Sequence, residues 1–577
     1  MRLCTLLCCF FFSAFLSAQT TAPNFFKPLS ENAIALPEKA ERKLIPLRYQ
    51  TYQLDYAGIK AALENAPKEF TPEARQQRCI IALPMADGTL EEFSVWEISI
   101  LEPALAAETP YIRTFAGVSL RDKAKTVRLS HTLRGFRAMV VRADMGAEFI
   151  EPYAWGQDVF YMVYDAHDIP ADAFPQGPRT VVVDPTWLEK EAPLYTPPAP
   201  VAERGTELSP VVLKQYKLII STTGEFSQDH GGTKQLVYSA LAEYVNLANM
   251  PYERDFALRF QLVQATLLTI FLDPDTDPFF GADNGALASQ NQQALATAGV
   301  TPNGYDIGHV FARGGGGVGG LGVICQASKW LGCTAGSGSY GAGFIYVACQ
   351  ELGHQLGGNH SWNRCGGFAE DQRAPLTAYE PGSGSTIMSY VGGCGSDNVQ
   401  GGADLYFHGG SIKEMRKVID FESGSQCGAN IPTTNTAPTV TLPYQNNFFI
   451  PIGTAFELNG SATDIDGDTL TYCWEEIDLG PEAPLGTQVA SSPIFRTRPA
   501  VSVTNRYFPQ LSTILNGTTD SREILPAYTR DLTFKLTVRD NHIGSGGVAS
   551  ADVAFKAWGG AGPFLVQYPN LVTDTWN

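Results

Sequence analysis

Beyond its first twenty residues the chain has no apolar run of the ~18 residues that a helical membrane span requires. It also lacks clustered positive charge. Lys and Arg number 41 against 59 Asp and Glu, giving a formal charge of −18 and a pI near 4.9. Neutralising nucleic-acid phosphates takes grouped Lys and Arg, so this balance argues against a nucleic-acid partner. It argues equally against a basic patch on an anionic membrane. No long run of like charge is present either, and the surface reads as soluble and acidic. What is there is an ordinary globular composition, 44% hydrophobic and 17% charged. Its 577 residues suffice for about three or four domains. The 56 glycines favour turns and short strands over long helices.

The first residues carry an address. Arg2 supplies a positive start, Leu6 to Leu16 a short apolar core, and Ser17 and Ala18 the small residues before Gln19. This fits a secretory signal peptide over 1–18, cut after Ala18. Leu16, third before the cut, departs from the small-residue rule, so the site could shift. A retained anchor and a lipoprotein signal are the other readings, the latter opposed by Cys8 and Cys9 lying inside the apolar run. Three of the 11 cysteines fall in this segment. Six of the other eight (Cys325, Cys333, Cys349, Cys365, Cys394 and Cys427) lie together, and export makes up to three disulfides plausible there.

Composition shifts divide the remainder. Residues 19–192 read as short alternating strands, among them 93–95, 98–100, 126–129 and 136–140. Residues 193–210 are proline-rich and polar, a linker exposed to proteolysis. From 211 to 428 strands alternate with helices, which predicts a mixed sheet with helices packed on it. Tyr216 to Ile220 is a buried-type strand. Leu236, Ala240, Tyr244 and Ala248 share one helical face, and Phe256, Leu258, Phe260 and Leu262 alternate as a strand. A second linker over 429–438 leads to an all-β module over 439–557 with the rhythm of an immunoglobulin- or cadherin-like sandwich. Residues 558–577 read as a tail or the start of a further, truncated module.

The chemistry concentrates between Phe344 and His360, FIYVACQELGHQLGGNH. On a helix, Gln350 and His354 stand one turn apart on the same face, with Glu351 beside them. Gly357 lets the chain leave the helix and bring His360 round from the opposite side. Two helical donors, a glycine hinge and a third donor can surround one face of a metal ion, with Glu351 placed as a general base.

This segment resembles the H-E-x-x-H-x-x-G-x-x-H signature of metzincin zinc metallopeptidases at every fixed position except the first, where Gln350 stands. Ser385 to Tyr390, STIMSY, resembles the Met-turn that lies beneath the zinc. The stretches Tyr252 to Ala257, Tyr305 to Phe311 and Ala378 to Gly384 are similar to reprolysin-like peptidases of secreted bacterial proteins. Phe93 to Glu97 and Gly135 to Met139 look like the propeptide of such enzymes. The resemblance spans residues 80 to 420 or so.

It implies a multidomain α/β (α+β) protein: a metzincin catalytic domain with a mixed sheet and a long zinc-site helix, preceded by a β-rich propeptide and followed by the β-sandwich. It implies zinc held by His354 and His360 through neutral imidazoles, with Gln350 in the remaining ligand position. Glu351 would deprotonate the attacking water and later pass a proton to the leaving amine. Met388 would be structural. Tyr390 would bond the oxyanion or ligate zinc, or else simply pack in the core. Protein or peptide would be the substrate, outside the cell.

Glutamine at 350 is the departure. Its amide oxygen is a weaker zinc donor than imidazole, and even outer-shell changes cost ~10–100-fold in metal affinity. Two readings stand: a working endopeptidase impaired by Gln350, and an inactive metzincin-like binding protein.

The other histidines read as structural. His309 lies in a predicted strand and His408 in Tyr406-Phe407-His408-Gly409, and His131, His167, His230 and His542 offer no ligand spacing. Adjacent helical residues point ~100° apart, so Cys349, next to Gln350, reads as half of a disulfide. Cys79 could in principle hold the zinc site latent as a thiolate, but its strand-like context favours steric blockage by the propeptide. Asp464, Asp466 and Asp468, on alternate residues around Gly467, form a turn that could take calcium. Asn359-His360-Ser361 matches a glycosylation acceptor, discounted because a glycan there would block the site.

Overall fold

The computed structural model describes residues 22–170, 179–182, 210–336, 342–366 and 369–565. The expected signal peptide, the linker residues 193–209 and the tail from 566 lie outside them.

Alternating apolar residues in the N-terminal region build one antiparallel sheet. Its strands are β1 (Phe26–Pro28), β2 (Gln50–Leu54), β3 (Cys79–Pro84), β4 (Leu90–Ile98), β5 (Arg113–Ser119), β6 (Thr126–Thr132), β7 (Gly135–Val141), β8 (Ala147–Pro152) and β9 (Phe160–Asp165). They are ordered β1-β2-β9-β8-β7-β6-β5-β4-β3. Successive side chains of a strand face opposite ways, and in β7 both ways are buried. Phe136, Ala138 and Val140 enter a core with Ile81, Phe93 and Phe115, whereas Met139 and Val141 enter a second core shared with residues between 216 and 419. The strand expected over 98–100 is shorter than the sequence suggests. Ile98 ends β4, and Ile100 instead accepts a hydrogen bond from Leu262 N at 2.8 Å.

The central sheet is organised on β11 (Pro210–Thr222). It runs parallel to β12 (Leu258–Leu262) on one side and to β13 (Ile307–Arg313) on the other. Beyond β13 come β15 (Gly332–Gly336), parallel to it, and β14 (Gly317–Gly320), antiparallel to β15. A short strand from the N-terminal region, β10 (Arg179–Val182), pairs parallel with β14. The sheet is therefore mixed, as expected.

Thr233 caps the long helix Lys234–Phe256, its hydroxyl accepting from Leu236 N at 3.3 Å. The helix stops where Ala257 takes a left-handed conformation, φ 48°. Phe256, expected to open a strand, is thus the last helical residue, and β12 begins only after that turn.

The stretch expected as the 429–438 linker holds a strand, β16 (Ala429–Thr436), antiparallel to the first half of β11. Its polar side chains read as linker, but backbone pairing needs no particular side chain, and the Cys325–Cys427 disulfide brings its start to the sheet. The all-β rhythm of the C-terminal region resolves into three small sheets. β18 (Phe448–Pro451), β24 (Val548–Trp558), β23 (Arg530–Arg539) and β21 (Thr471–Glu476) make one. β17 (Thr439–Thr441) pairs with β20 (Ser461–Thr463), and β19 (Phe456–Leu458) with β22 (Arg506–Phe508). They enclose Trp474, Phe495, Phe508, Phe534 and Phe555.

Two disulfides form among the six clustered cysteines, Cys325–Cys427 and Cys365–Cys394. The third expected pair does not. Cys349 is a buried thiol turned toward Ala248 O at 3.8 Å, and Cys333 is buried separately in another part of the core. Burial raises the pKa of both thiols.

Candidate metal centre

The site helix runs Ala342–Gln355 across the central sheet. Its early residues Phe344, Ile345, Val347 and Ala348 are buried apolar contacts that hold the helix down. Gln350, Glu351 and His354 lie in its last two turns, fully buried. The chain leaves the helix at Gly357, φ +95°, where a Cβ would also come within 2.3 Å of Val418 on the helix Gly409–Phe421. That turn carries His360 back until its ring stands 4.8 Å from that of His354, nearly perpendicular.

Each imidazole is fixed from behind by a main-chain carbonyl. His354 Nδ1 pairs with Gly358 O at 2.6 Å, and His360 Nδ1 with Gln372 O at 2.7 Å. A carbonyl only accepts, so each Nδ1 carries the proton and each Nε2 offers a lone pair. This is the arrangement that orients metal-binding histidines. His354 Nε2 is buried with no hydrogen-bond partner, an exposed cost unless something else takes it. Burial pushes the His354 pKa down to about 4, so the ring is neutral at ordinary pH. A pair of imidazoles whose Nδ1 atoms are committed to carbonyls, leaving the Nε2 atoms to donate, fits Zn²⁺, for which nitrogen is a preferred donor. Gln350, one turn before His354, would have to supply an amide oxygen as third donor.

Glu351 packs against β14. A Cβ on Gly317 of β14 would come within 2.5 Å of its side chain, so only glycine leaves room for that carboxylate. Met388 is fully buried and close under the helix: a Cβ on Gly353 would reach its sulfur at 2.8 Å. Tyr390 stacks edge-on against His360, ring centres 4.5 Å apart, and its hydroxyl donates to Gln372 Oε1.

Two residues that spacing did not single out complete the centre. Gln372 holds His360 through its carbonyl and Tyr390 through its side chain. The buried carboxylate of Glu380 accepts from Ser361 Oγ at 2.6 Å, Ser385 N at 2.8 Å and Thr386 Oγ1. It thereby ties the chain after His360 to the turn that carries Met388. The Cys365–Cys394 disulfide closes the same loops.

The remaining histidines have other work. His309 Nδ1 and Nε2 are engaged by Gln355 and Thr334, both at 2.8 Å. His408 accepts from Gly410 N and stacks on Tyr379. Cys79 donates to Ala62 O and packs on the far face of the N-terminal sheet, where burial raises its pKa to about 11. The acidic turn is regrouped: Asp464 and Asp468 converge with Asp540, whereas Asp466 accepts from Thr436 N.

Residues 212–417 match the family model of the metallo-peptidase family M12B, reprolysin-like. The matched segment contains strands β12 to β15 and most of β11, the long helix and the site helix, and it supports a zinc-dependent peptidase domain acting on protein or peptide. No curated protein matches the chain.

Proposed function

We propose that this chain is a secreted zinc-dependent endopeptidase with a β-rich N-terminal region and a C-terminal β-module. The observation that carries the reading is the pair His354 and His360, each with Nδ1 committed to a carbonyl and Nε2 turned inward, beside Glu351 and above Met388. His354 and His360 would hold the zinc, with Gln350 completing the donor set. When bound, zinc supplies Lewis-acid activation of the peptide carbonyl and of water. Glu351 takes the proton of the attacking water and delivers it to the leaving nitrogen. Tyr390, anchored by Gln372 beside His360, would bond the oxyanion. Two disulfides and the absence of a membrane-length apolar helix among the described residues agree with an extracellular protein. Asp464 and Asp468, joined by Asp540 in place of Asp466, are the residues that would take a calcium ion.

Gln350 favours a second reading, a protein that keeps the cleft but not the reaction. In both, β14 is the edge on which an extended peptide would be added, and β10 occupies that edge in this form of the chain. The deciding experiment measures zinc per chain and chelator-sensitive casein cleavage for the protein and its Gln350→His variant, both freed of the β10 strand. Near-stoichiometric zinc with cleavage in the unsubstituted protein establishes a peptidase. Zinc and cleavage present only in the variant establish an inactivated protein whose role is binding or none.

A further inference from the structure

The long helix Lys234–Phe256 has 19 of its 23 residues buried. A helix buried on all sides needs a cover on each. The central sheet and the site helix cover one side, where Tyr252 OH donates to Cys349 O. The nine-stranded N-terminal sheet covers the other. Ile98, Leu105, Met139 and Phe149 from that sheet region belong to the same continuous core as Tyr238, Leu241, Val245 and Phe344.

The polar residues on the covered face are answered from the N-terminal region, in contacts that are buried except at Glu69, which is partly exposed. Glu243 accepts from Thr132 Oγ1 at 2.6 Å and pairs with Arg137 at 3.0 Å. Asn246 Nδ2 donates to Leu129 O at 2.8 Å. Glu253 pairs with Arg128, and Arg259, just past the helix, pairs with Glu69. The N-terminal region also extends the far edge of the central sheet: Leu262 N donates to Ile100 O, and Glu102 N to Leu262 O at 3.0 Å. Such a surface has the character of an obligate interface, a core cut in two, whereas a segment shed on maturation would be expected to leave a polar, wettable face behind.

We infer that the N-terminal sheet is a permanent lobe of the working molecule: a cut within residues 183–209 frees the chain end but leaves the lobe bound to the long helix. This holds whether or not Gln350 permits catalysis. The lobe's partner is the peptidase-like region of its own chain, and the bond between them is the buried helix face with its ion pairs.

The test inserts a recognition sequence for a specific protease between residues 193 and 209 of the full chain, cuts it to completion and passes it through size exclusion in high salt. The two fragments are expected to elute together at the mass of the uncut chain and to give that mass by native mass spectrometry. Elution of a free N-terminal fragment, apart from a second fragment that keeps its far-ultraviolet dichroism, overturns the inference. An Arg128→Ala version, shown folded before cutting, provides the second reading. Truncating one partner of a buried charge pair speeds release by about 30-fold or more, so the cut variant should separate at lower urea than the cut parent. An unchanged urea concentration would mean that the buried pairs do not hold the lobe, and would also overturn it.

Discussion

Changing Gln350 to histidine puts an imidazole nitrogen in place of a neutral amide oxygen, at a fully buried position one helical turn from His354. Zinc affinity should rise by at least the ~10–100-fold that outer-shell changes alone can cost, measured by competition with a chromophoric chelator. In the same background Glu351→Gln should leave zinc content unchanged and lower cleavage by about 10²–10⁴-fold, the usual contribution of a general base. A loss of zinc in Glu351→Gln would reassign that residue from proton transfer to structure. His354, Glu351 and His360 were legible in the sequence because a helix and one glycine turn relate them locally. Gln372 and Glu380 were not. Their parts depend on loops that return to the site from outside the helix, and no periodicity marks a residue that works through its carbonyl.

Strand β10 occupies the outer edge of the central sheet, pairing parallel in register from Arg179 with Gly317 to Val182 with Gly320. Replacing residues 179–182 with a Gly/Ser stretch should speed amide hydrogen exchange in β14 while leaving β13 protected. Equal exchange in both forms would show that the edge is not held by this strand. At the same scale, the Cys325–Cys427 bond spans 102 residues. Chain-entropy arguments put the cost of removing such a crosslink at up to about 4–5 kcal/mol, so Cys325→Ser with Cys427→Ser should lower the urea midpoint clearly. A midpoint that stays put would mean that β16 is held by its pairing with β11 alone. The long helix and the buried strands announced themselves through their apolar spacing. β16 did not, since a polar run such as NIPTTNT reads as linker until it is seen beside β11, and no spacing rule selects one of the fifteen pairings that six cysteines allow.

The end of the long helix is where all three parts of the molecule meet. Glu253 binds Arg128 of the N-terminal sheet and Arg259 of the central one, and its carbonyl accepts from Gly546 N of the C-terminal module at 2.8 Å. Asp255 binds Arg539 of that module at 2.8 Å, its neighbour Arg254 at 2.7 Å, and Phe407 N. The sequence around them, YERDFA, stood out only by resemblance, since its charges look like a solvated helix end until three chain segments close over them. Burial by itself would raise the Asp255 carboxyl, but Arg254 and Arg539 hold it down, from 3.8 to about 2. The sign follows from linkage: the unfolded chain takes up this proton first, so the stabilisation is complete above pH ~4 and is lost as pH falls towards 2. The shift corresponds to about 2 kcal/mol. Urea midpoints measured from pH 5 down to 2 should fall for the parent. Asp255→Asn should start about 3–5 kcal/mol lower, because Arg539 is left buried without its counterion, and should fall less steeply over the same range. Since Asp255 and Glu253 together engage every part, both proteins should lose the three regions in one transition. A C-terminal module that melts separately in the parent would show that this junction does not couple them.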